Sequence, residues 1–304
     1  IRNAVALDWN HQTQQLHAVQ HGRDQLNTLW PELFTAEDNA QLPAEEFIAI
    51  NAGDDFGWPY CFYDQRQGKK VLGPEYGGDG KKQGLCESKA TPIEAFSGHM
   101  APNDLLFYQG DQFPERYKNG AFIAFHGSTI RTPFPQSGYF VAFVPFINGK
   151  ASKWEVFADG FIQRDKLVDT DDAGYRPMGI AMGPDGSLYL SESEKGKIWR
   201  VMYKGDKKNF GSEQLALMEK RKSLPHIKTP DEIKRLSTLY HERNLEDVDK
   251  LLADDFIGSY LYQNTERLLE NIKRRGREYE QSIESSYLKK IHNGYKSFIN
   301  TEKS

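Results

Sequence analysis

The 304-residue chain is poor in cysteine and has no long apolar run. Its only two cysteines are Cys61 and Cys86, so the Cys-x-x-Cys-His motif is absent and covalently attached haem is excluded. No apolar stretch approaches the roughly 18–20 residues that cross a bilayer, which predicts no membrane span. The formal net charge is -4, too small to indicate a nucleic-acid partner.

Tryptophan and proline become scarce in the last third of the chain. All five tryptophans precede residue 200, and only two of the fourteen prolines, Pro225 and Pro230, follow residue 205. Such a shift in composition indicates two regions. We therefore divide the chain into a first domain at residues 1–204, a linker at 205–228 and a C-terminal region at 229–304.

The first region contains many short segments of β-branched and aromatic residues between turn formers. They predict strands at residues 16–20, 47–51, 121–125, 139–146, 154–157, 178–182, 188–191 and 198–203. Asn-Gly at 148–149 and Pro-Asp-Gly at 184–186 predict hairpin turns. No helix-period stretch separates the strands, so the pattern argues against βαβ units and indicates an all-β sandwich, barrel or propeller.

The end of the chain has a different period. Apolar residues recur every four positions, which is one face of an amphipathic helix: Tyr279, Ile283, Tyr287, Ile291 and Tyr295. Thr-Pro-Asp-Glu at residues 229–232 is a helix start, with a capping hydroxyl, a first-position proline and acids in the first turn. The C-terminal region is therefore predicted to be mainly α-helical.

The two cysteines bracket a glycine-rich, charged stretch. In an oxidising compartment a Cys61–Cys86 disulfide would restrain that stretch. Two free buried thiols are the alternative. The sequence leaves both open.

Six segments follow one another in a definite order along residues 1–204. They are Ile-Arg-Asn at 1–3, Gln-His-Gly-Arg-Asp at 20–24, Gly-Asp-Asp-Phe-Gly-Trp-Pro at 53–59, Gly-His-Met-Ala-Pro at 98–102, Phe-His-Gly-Ser-Thr-Ile-Arg at 125–131 and Tyr-Arg-Pro-Met-Gly at 175–179. Their order resembles the PQQ-dependent sugar dehydrogenases, in the branch of sorbosone and aldose sugar dehydrogenases. The resemblance implies an all-β, six-bladed β-propeller, of which residues 1–204 would be the second half.

The resemblance also implies a cofactor site. PQQ would contact Arg2, Asn3, His99, Arg131 and Arg176, and backbone carbonyls of Gly22 and Arg23 would hold Ca²⁺. PQQ is a planar quinone with three carboxylates, and the forked guanidinium of arginine suits planar carboxylates. Arg23 stands where the family has proline, and Ile48 stands where it has asparagine.

The implied reaction is oxidation of an aldose-type sugar or sorbosone by hydride transfer to the quinone. The electron acceptor would be a cytochrome c or a quinone, and the location periplasmic or secreted, although the chain shows no signal peptide. The family's general-base histidine lies upstream of the Arg-Asn motif, which here means upstream of Ile1. The chain is therefore expected to be a fragment without that base. The alternative is a non-catalytic propeller that binds carbohydrate or a protein partner.

Overall fold

The computed structural model describes residues 1–223, 227–231, 233–235 and 238. Fifteen strands lie in these residues. In chain order they are β1 (Asn3–Asn10), β2 (Gln15–His21), β3 (Glu45–Ile50), β4 (Cys61–Asp64), β5 (Lys69–Leu72), β6 (Glu94–Phe96), β7 (Pro102–Phe107), β8 (Ala121–Phe125), β9 (Phe140–Val144), β10 (Phe146–Ile147), β11 (Lys150–Ala151), β12 (Glu155–Ala158), β13 (Pro177–Met182), β14 (Leu188–Glu192) and β15 (Ile198–Val201).

Helices are few in the described part of the chain. The α-helices are α1 (Leu26–Leu29), α2 (Ala36–Gln41) and α3 (Ser212–Ser223). Short 3₁₀ helices cover Pro74–Tyr76, Gly84–Ser88, Glu115–Tyr117, Thr170–Asp172 and Lys207–Asn209. None of the helices in the described residues is long and apolar enough to cross a membrane.

Three antiparallel sheets form the body. The first has the order β1-β2-β3-β6, the second β12-β9-β8-β7 and the third β13-β14-β15, while β4-β5 and β10-β11 are separate hairpins. The fold is thus mostly β with antiparallel sheets. Closure into a six-bladed propeller stays a prediction.

The second sheet lies between the other two, and the two-residue period of β8 shows why. Ile123 packs in one core with Phe47 of the first sheet. The neighbouring Phe122 points to the opposite face and packs with Leu188 of the third sheet. Every residue of β8 is buried because both faces of its sheet are covered.

Two carboxylates join the first strands of successive sheets. Asp8 on β1 accepts a hydrogen bond from the backbone N–H of Phe107 on β7, at 2.7 Å. Asp104 on β7 accepts one from the N–H of Ile180 on β13, at 2.6 Å. These bonds link β1, β7 and β13 side by side.

The eight predicted strands all occur, with ends shifted by a few residues. The predicted turns connect β10 to β11 and β13 to β14. Sequence reasoning did not predict β1, β4, β5, β6, β7 or the two-residue β11. Three of these strands have only three or four residues, and β7 begins with the polar residues Asn103 and Asp104 after its proline.

Cys61 and Cys86 form a disulfide with Cα atoms 5.8 Å apart, which decides between the two alternatives. The disulfide restrains an insert, residues 51–92, that carries the β4-β5 hairpin between two strands of the first sheet. Lys70 in this insert makes a buried ion pair with Glu46 of β3, at 2.7 Å. The insert is therefore held to the body by an ion pair as well as by its own disulfide.

The predicted linker contains helix α3 and part of a segment that contacts the body. The carbonyl of Ile227 accepts from the N–H of Gln136 at 2.9 Å, and the side chain of Ile227 is buried. The helix prediction for residues 229–304 falls almost entirely outside the described residues.

Candidate functional site

One end of the three sheets collects the residues of the motifs. The register pairs Asn3 with His21 in the first sheet, Pro102 with Phe125 in the second and Pro177 with Glu192 in the third. Hydrogen bonds between His21 and Pro102 and between Arg176 and His126 join these ends of the three sheets. We call this end of the sheets the strand-end edge, formed by residues 2–3, 21–22, 101–103, 126–127, 176–178 and 192–194.

His21 joins the first sheet to the second at this edge. Its Nε2 lies 2.9 Å from the carbonyl oxygen of Pro102 and 3.1 Å from Oδ1 of Asn103. Because a carbonyl oxygen only accepts, Nε2 carries the proton. In neutral His21 the other nitrogen, Nδ1, is then a proton acceptor, and no described residue donates to it. The motif at residues 20–24 contains His21, but the sequence alone did not predict a role for its side chain.

Arg2 lies beside His21. Its Nη1 donates to the carbonyl oxygens of His21, at 3.3 Å, and of Gly22. The guanidinium carbon lies 5.4 Å from the ring centroid of Trp58, a cation–π distance. Asn3 is exposed next to it at the start of β1.

Ile1 precedes Arg2 in the chain, and it is 47% exposed. Its hydrocarbon side chain can neither take nor give a proton, so Ile1 itself has no acid–base role. The general base that the resemblance places upstream of Ile1 lies outside this sequence and stays a prediction. Within the described residues, the strand-end edge instead supplies a histidine downstream of the Arg-Asn motif, which is His21.

Arg176 and His126 join the second sheet to the third. Arg176 donates from Nε to the carbonyl of His126 at 3.2 Å and from Nη2 to that of Gly127 at 2.8 Å. Nε2 of His126 lies 2.8 Å from Oγ of Ser193. Burial, reinforced by the positive charge of Arg176 and by the electrostatic effect of nearby His21, lowers the pKa of His126 to about 3. His126 is therefore neutral at physiological pH.

His99 is buried and both of its nitrogens have protein partners. Nδ1 lies 3.1 Å from Oδ1 of Asp24, and Nε2 lies 2.7 Å from the carbonyl oxygen of Asn39. The hydrogen bond from His99 is the largest cause of the lowered pKa of Asp24. The φ of His99 is +65°, in the left-handed region that few non-glycine residues adopt.

Arg131 is also buried, and its Nε and Nη1 have protein partners. It donates from Nε to the carbonyl of Pro135 at 3.0 Å, and from Nη1 to Oγ of Ser97 at 2.8 Å and to the carbonyls of Gly98 at 2.9 Å and of Ala40. Burial lowers its pKa to about 10, so it stays cationic at neutral pH. Arg131 thus holds the segment before His99 against α2.

Glu45 is a further charged residue that sequence reasoning missed. It is buried, and its carboxylate accepts from the backbone N–H of Gly22 at 2.9 Å and of Ala101 at 3.2 Å. Burial raises its pKa, against the opposing effects of His21 and of these two donors. The sequence carried no signal for this position, because Glu45 precedes the predicted strand at residues 47–51 and only the structure shows that the first four positions of β3 are buried.

The donor set fits a planar polyanion such as PQQ in chemistry. Arg2 uses only Nη1 toward the described protein atoms, so its Nε and Nη2 have no acceptor there. Arg176 leaves Nη1 3.6 Å from Glu194, a loose ion pair. Arg131 and His99 are engaged by protein acceptors, so any effect they have on a ligand acts through the segments that they hold.

The predicted Ca²⁺ ligands are the backbone carbonyls of Gly22 and Arg23, and their surroundings are partly occupied by protein cations. The carbonyl of Gly22 already accepts from the cationic Arg2. The side chain of Arg23 forms an ion pair with Glu75 and lies over the ring of Trp30. No cluster of three or more His, Cys, Asp or Glu residues suited to a metal occurs in the described residues. A calcium ion bound there would share the Gly22 carbonyl with the guanidinium of Arg2.

Two family models match the chain. The model described as TrAA12-like matches residues 1–204. The model of deoxynucleoside kinase matches residues 217–304, a segment without the Gly-x-x-x-x-Gly-Lys-Ser/Thr phosphate-binding loop.

Individual relatives are similar over part of their length. An uncharacterized protein of Borreliella burgdorferi is 29% identical over 208 residues, which are 67% of this chain and 47% of that protein. The calcium structure of Trichoderma reesei Carbohydrate-Active Enzymes Family AA12 is 21% identical with a TM-score of 0.48, over 65% of this chain and 51% of that one. The soluble aldose sugar dehydrogenase of Escherichia coli, in its apo form, is 18% identical with a TM-score of 0.41, over 66% of this chain and 44% of that one. The chain spans about half the length of these relatives.

Proposed function

The chain belongs to the TrAA12-like family, and from that premise we propose that it is part of a PQQ-dependent oxidoreductase of aldose-type sugars or sorbosone. The observation that carries the proposal is the strand-end edge. There, Arg2, His21 and Arg176 donate to backbone carbonyls at the ends of neighbouring strands, and the His126 ring contacts Ser193.

Arg2 and Arg176 are the proposed anion-binding residues. Their guanidinium groups would bind carboxylates of the cofactor through charge-assisted hydrogen bonds. When bound, PQQ would accept the hydride that leaves the oxidised carbon of the sugar. Asn3, exposed beside Arg2, would add a neutral donor, while His99 and Arg131 would position the segment at residues 97–101.

His21 is the proposed proton acceptor in the described part of the chain. Its Nε2 proton is engaged with Pro102, so Nδ1 is the nitrogen that would take the proton of the sugar hydroxyl. His126 is a poor proton acceptor at neutral pH because its pKa is about 3. We also propose that the backbone carbonyls of Gly22 and Arg23 hold calcium.

The disulfide supports the proposed location. Disulfides persist in oxidising compartments, and Cys61 and Cys86 are joined. A periplasmic or secreted protein is therefore proposed, with a cytochrome c or a quinone as the electron acceptor.

The first test is binding of PQQ by the full chain, measured by calorimetry with and without Ca²⁺. We expect Arg176→Ala and Arg2→Ala each to weaken binding by about tenfold, since each removes a charge-assisted pair. The matched control is Arg200→Ala, because Arg200 pairs with Asp185 on an exposed surface. Equal affinity in all four proteins would overturn the assignment.

The second test is oxidation of aldoses with an artificial electron acceptor. Activity that requires PQQ, and that falls about a hundredfold in His21→Ala, is the expected result. Sugar binding that is independent of PQQ, with no oxidation, would instead support the non-catalytic alternative.

A further inference from the structure

The insert at residues 51–92 presents an unusual group of exposed aromatic rings. Four of the large aromatic side chains in the described residues are exposed: Trp9, Trp58, Tyr60 and Tyr76. Three of the four belong to the insert, with exposed fractions of 42%, 46% and 43%. We call Trp58, Tyr60 and Tyr76 the aromatic platform.

We propose that the aromatic platform binds a sugar unit of an oligosaccharide whose neighbouring unit lies at the strand-end edge. The proposal deepens the proposed function, because it names the substrate class as an oligomer rather than a free monosaccharide. A pyranose ring has an apolar C–H face and a polar rim, and tyrosine and tryptophan present an apolar ring with a polar tip.

The two tyrosines lie close enough to act together. Their ring centroids are 4.7 Å apart, with an angle of 59° between the planes. No described residue forms a hydrogen bond with either hydroxyl, so both hydroxyls are available to sugar hydroxyl groups. The pair therefore offers ring surface and hydrogen-bonding groups at one place.

Backbone contacts hold this pair in position before any ligand binds. The N–H of Gly73 donates to the carbonyl of Tyr60 at 2.7 Å, and the N–H of Tyr76 donates to the carbonyl of Gly73 at 2.9 Å. Tyr60 directly precedes the disulfide residue Cys61. Rings held in place lose little conformational entropy on binding, which favours affinity.

The platform is continuous with the strand-end edge. Trp58 lies under the guanidinium of Arg2. Arg2, His21, Gly22, Arg23 and Trp58 line one small cavity of about 20 Å³. A saccharide bound at the edge would therefore lie next to Trp58, which precedes Tyr60 by two residues in the chain.

The rim of the platform is polar. Glu75, adjacent to Tyr76 in the chain, pairs with Arg23, and the carboxylate side chain is 36% exposed. An ion pair at the border of exposed rings suits a ligand with many hydroxyls better than an aliphatic surface. This favours a saccharide over a protein partner.

The test is calorimetric binding of glucose and of β-1,4- and α-1,4-linked gluco-oligosaccharides of two to about six units to the full chain. Affinity is expected to rise with length, by about tenfold beyond the monosaccharide, in one of the two series. Tyr60→Ala and Tyr76→Ala should abolish that rise, whereas Tyr60→Phe should retain most of it. Trp9→Ala is the matched control, because Trp9 is equally exposed but lies on β1.

Equal affinity for all lengths in both series would overturn the platform proposal. So would a loss of the length-dependent rise in Trp9→Ala equal to the loss in the tyrosine variants. Its failure is distinguishable from that of the proposed function. If the chain oxidises a monosaccharide with PQQ but its affinity does not depend on oligosaccharide length, only the platform proposal is overturned. Length-dependent binding without any PQQ-dependent oxidation supports the platform and removes the dehydrogenase proposal.

Discussion

Arg131 and Arg176, which the resemblance assigns to one cofactor, have different surroundings in the folded chain. Arg131 is 6% exposed and donates to four protein oxygens. Arg176 donates to two carbonyls at the strand-end edge and lies only loosely paired with Glu194. The guanidinium of Arg131 is therefore engaged by protein oxygens, whereas that of Arg176 is better placed to bind a ligand.

The lowered pKa of His126 predicts how the stability of the protein depends on pH. Its folded pKa is about 3, against an ordinary value of 6.5, so the unfolded chain binds more protons between these limits. Stability from this residue is present above pH 6.5 and is lost as the pH falls toward about 3. We expect wild-type unfolding free energy to fall by up to about 1.4 kcal/mol per pH unit from this group.

Urea denaturation between roughly pH 7 and pH 5 checks this prediction. His126→Gln should show a flatter profile than the wild type, since glutamine does not titrate. His11→Gln is the control, because His11 is exposed in the turn after β1. Parallel profiles for wild type and His126→Gln would contradict the assignment.

At the scale of elements, the insert shows how a polar, glycine-rich stretch becomes ordered. Its hairpin has only four residues in each strand, too few to be stable alone. The Lys70–Glu46 ion pair holds β5 to β3, with Lys70 1% and Glu46 7% exposed. The disulfide joins Cys61, at the start of β4, to Cys86 beyond the hairpin.

The double variant Cys61→Ser with Cys86→Ser is expected to lose about 3 kcal/mol of unfolding free energy, since the disulfide closes a loop of 25 residues. Chemical denaturation measures the loss. Proteolysis should also begin within residues 62–85. Wild type unfolded in the presence of a reductant should match the variant, because both lack the bond. Equal midpoints for the oxidised wild type and the variant would show that the ion pair alone orders the insert.

At the scale of the whole molecule, one outer face of the sheet stack is apolar. Val5, Leu7 and Trp9 alternate along β1 and are 40%, 67% and 41% exposed, while Ala6 between them is buried in the core. Apolar groups on an edge strand favour association between molecules. We therefore expect the chain to associate at raised concentration.

Sedimentation of the wild type and of Leu7→Lys checks this expectation. The substitution places a charge at the centre of the apolar row and should shift the distribution toward the monomer. Leu29→Lys is the control, because Leu29 is 51% exposed in α1, away from this row. Unchanged association in Leu7→Lys would show that another surface is responsible.

Local pattern was sufficient for much of the fold. A short run of apolar and aromatic residues between turn formers predicted β8 at its observed bounds, and turn formers placed the hairpin between β13 and β14. Strands such as β5, with two adjacent lysines, have no such run. Burial of Lys70 against Glu46 makes β5 a strand, and that partner lies 24 residues away.

The sequence by itself determined the alternating strands, the hairpin turns, the motif order and which charged residues the chain contains. Only the tertiary structure decided which distant residues the side chains of those charged and polar residues contact. His21 reaches Pro102 across 81 residues, and Arg176 reaches His126 across 50. The physical reason is that strand period and turn chemistry are local, whereas these contacts depend on how separate sheets stack. Stacking also decided that Arg131 is enclosed by protein oxygens and that Arg2 lies at the strand-end edge.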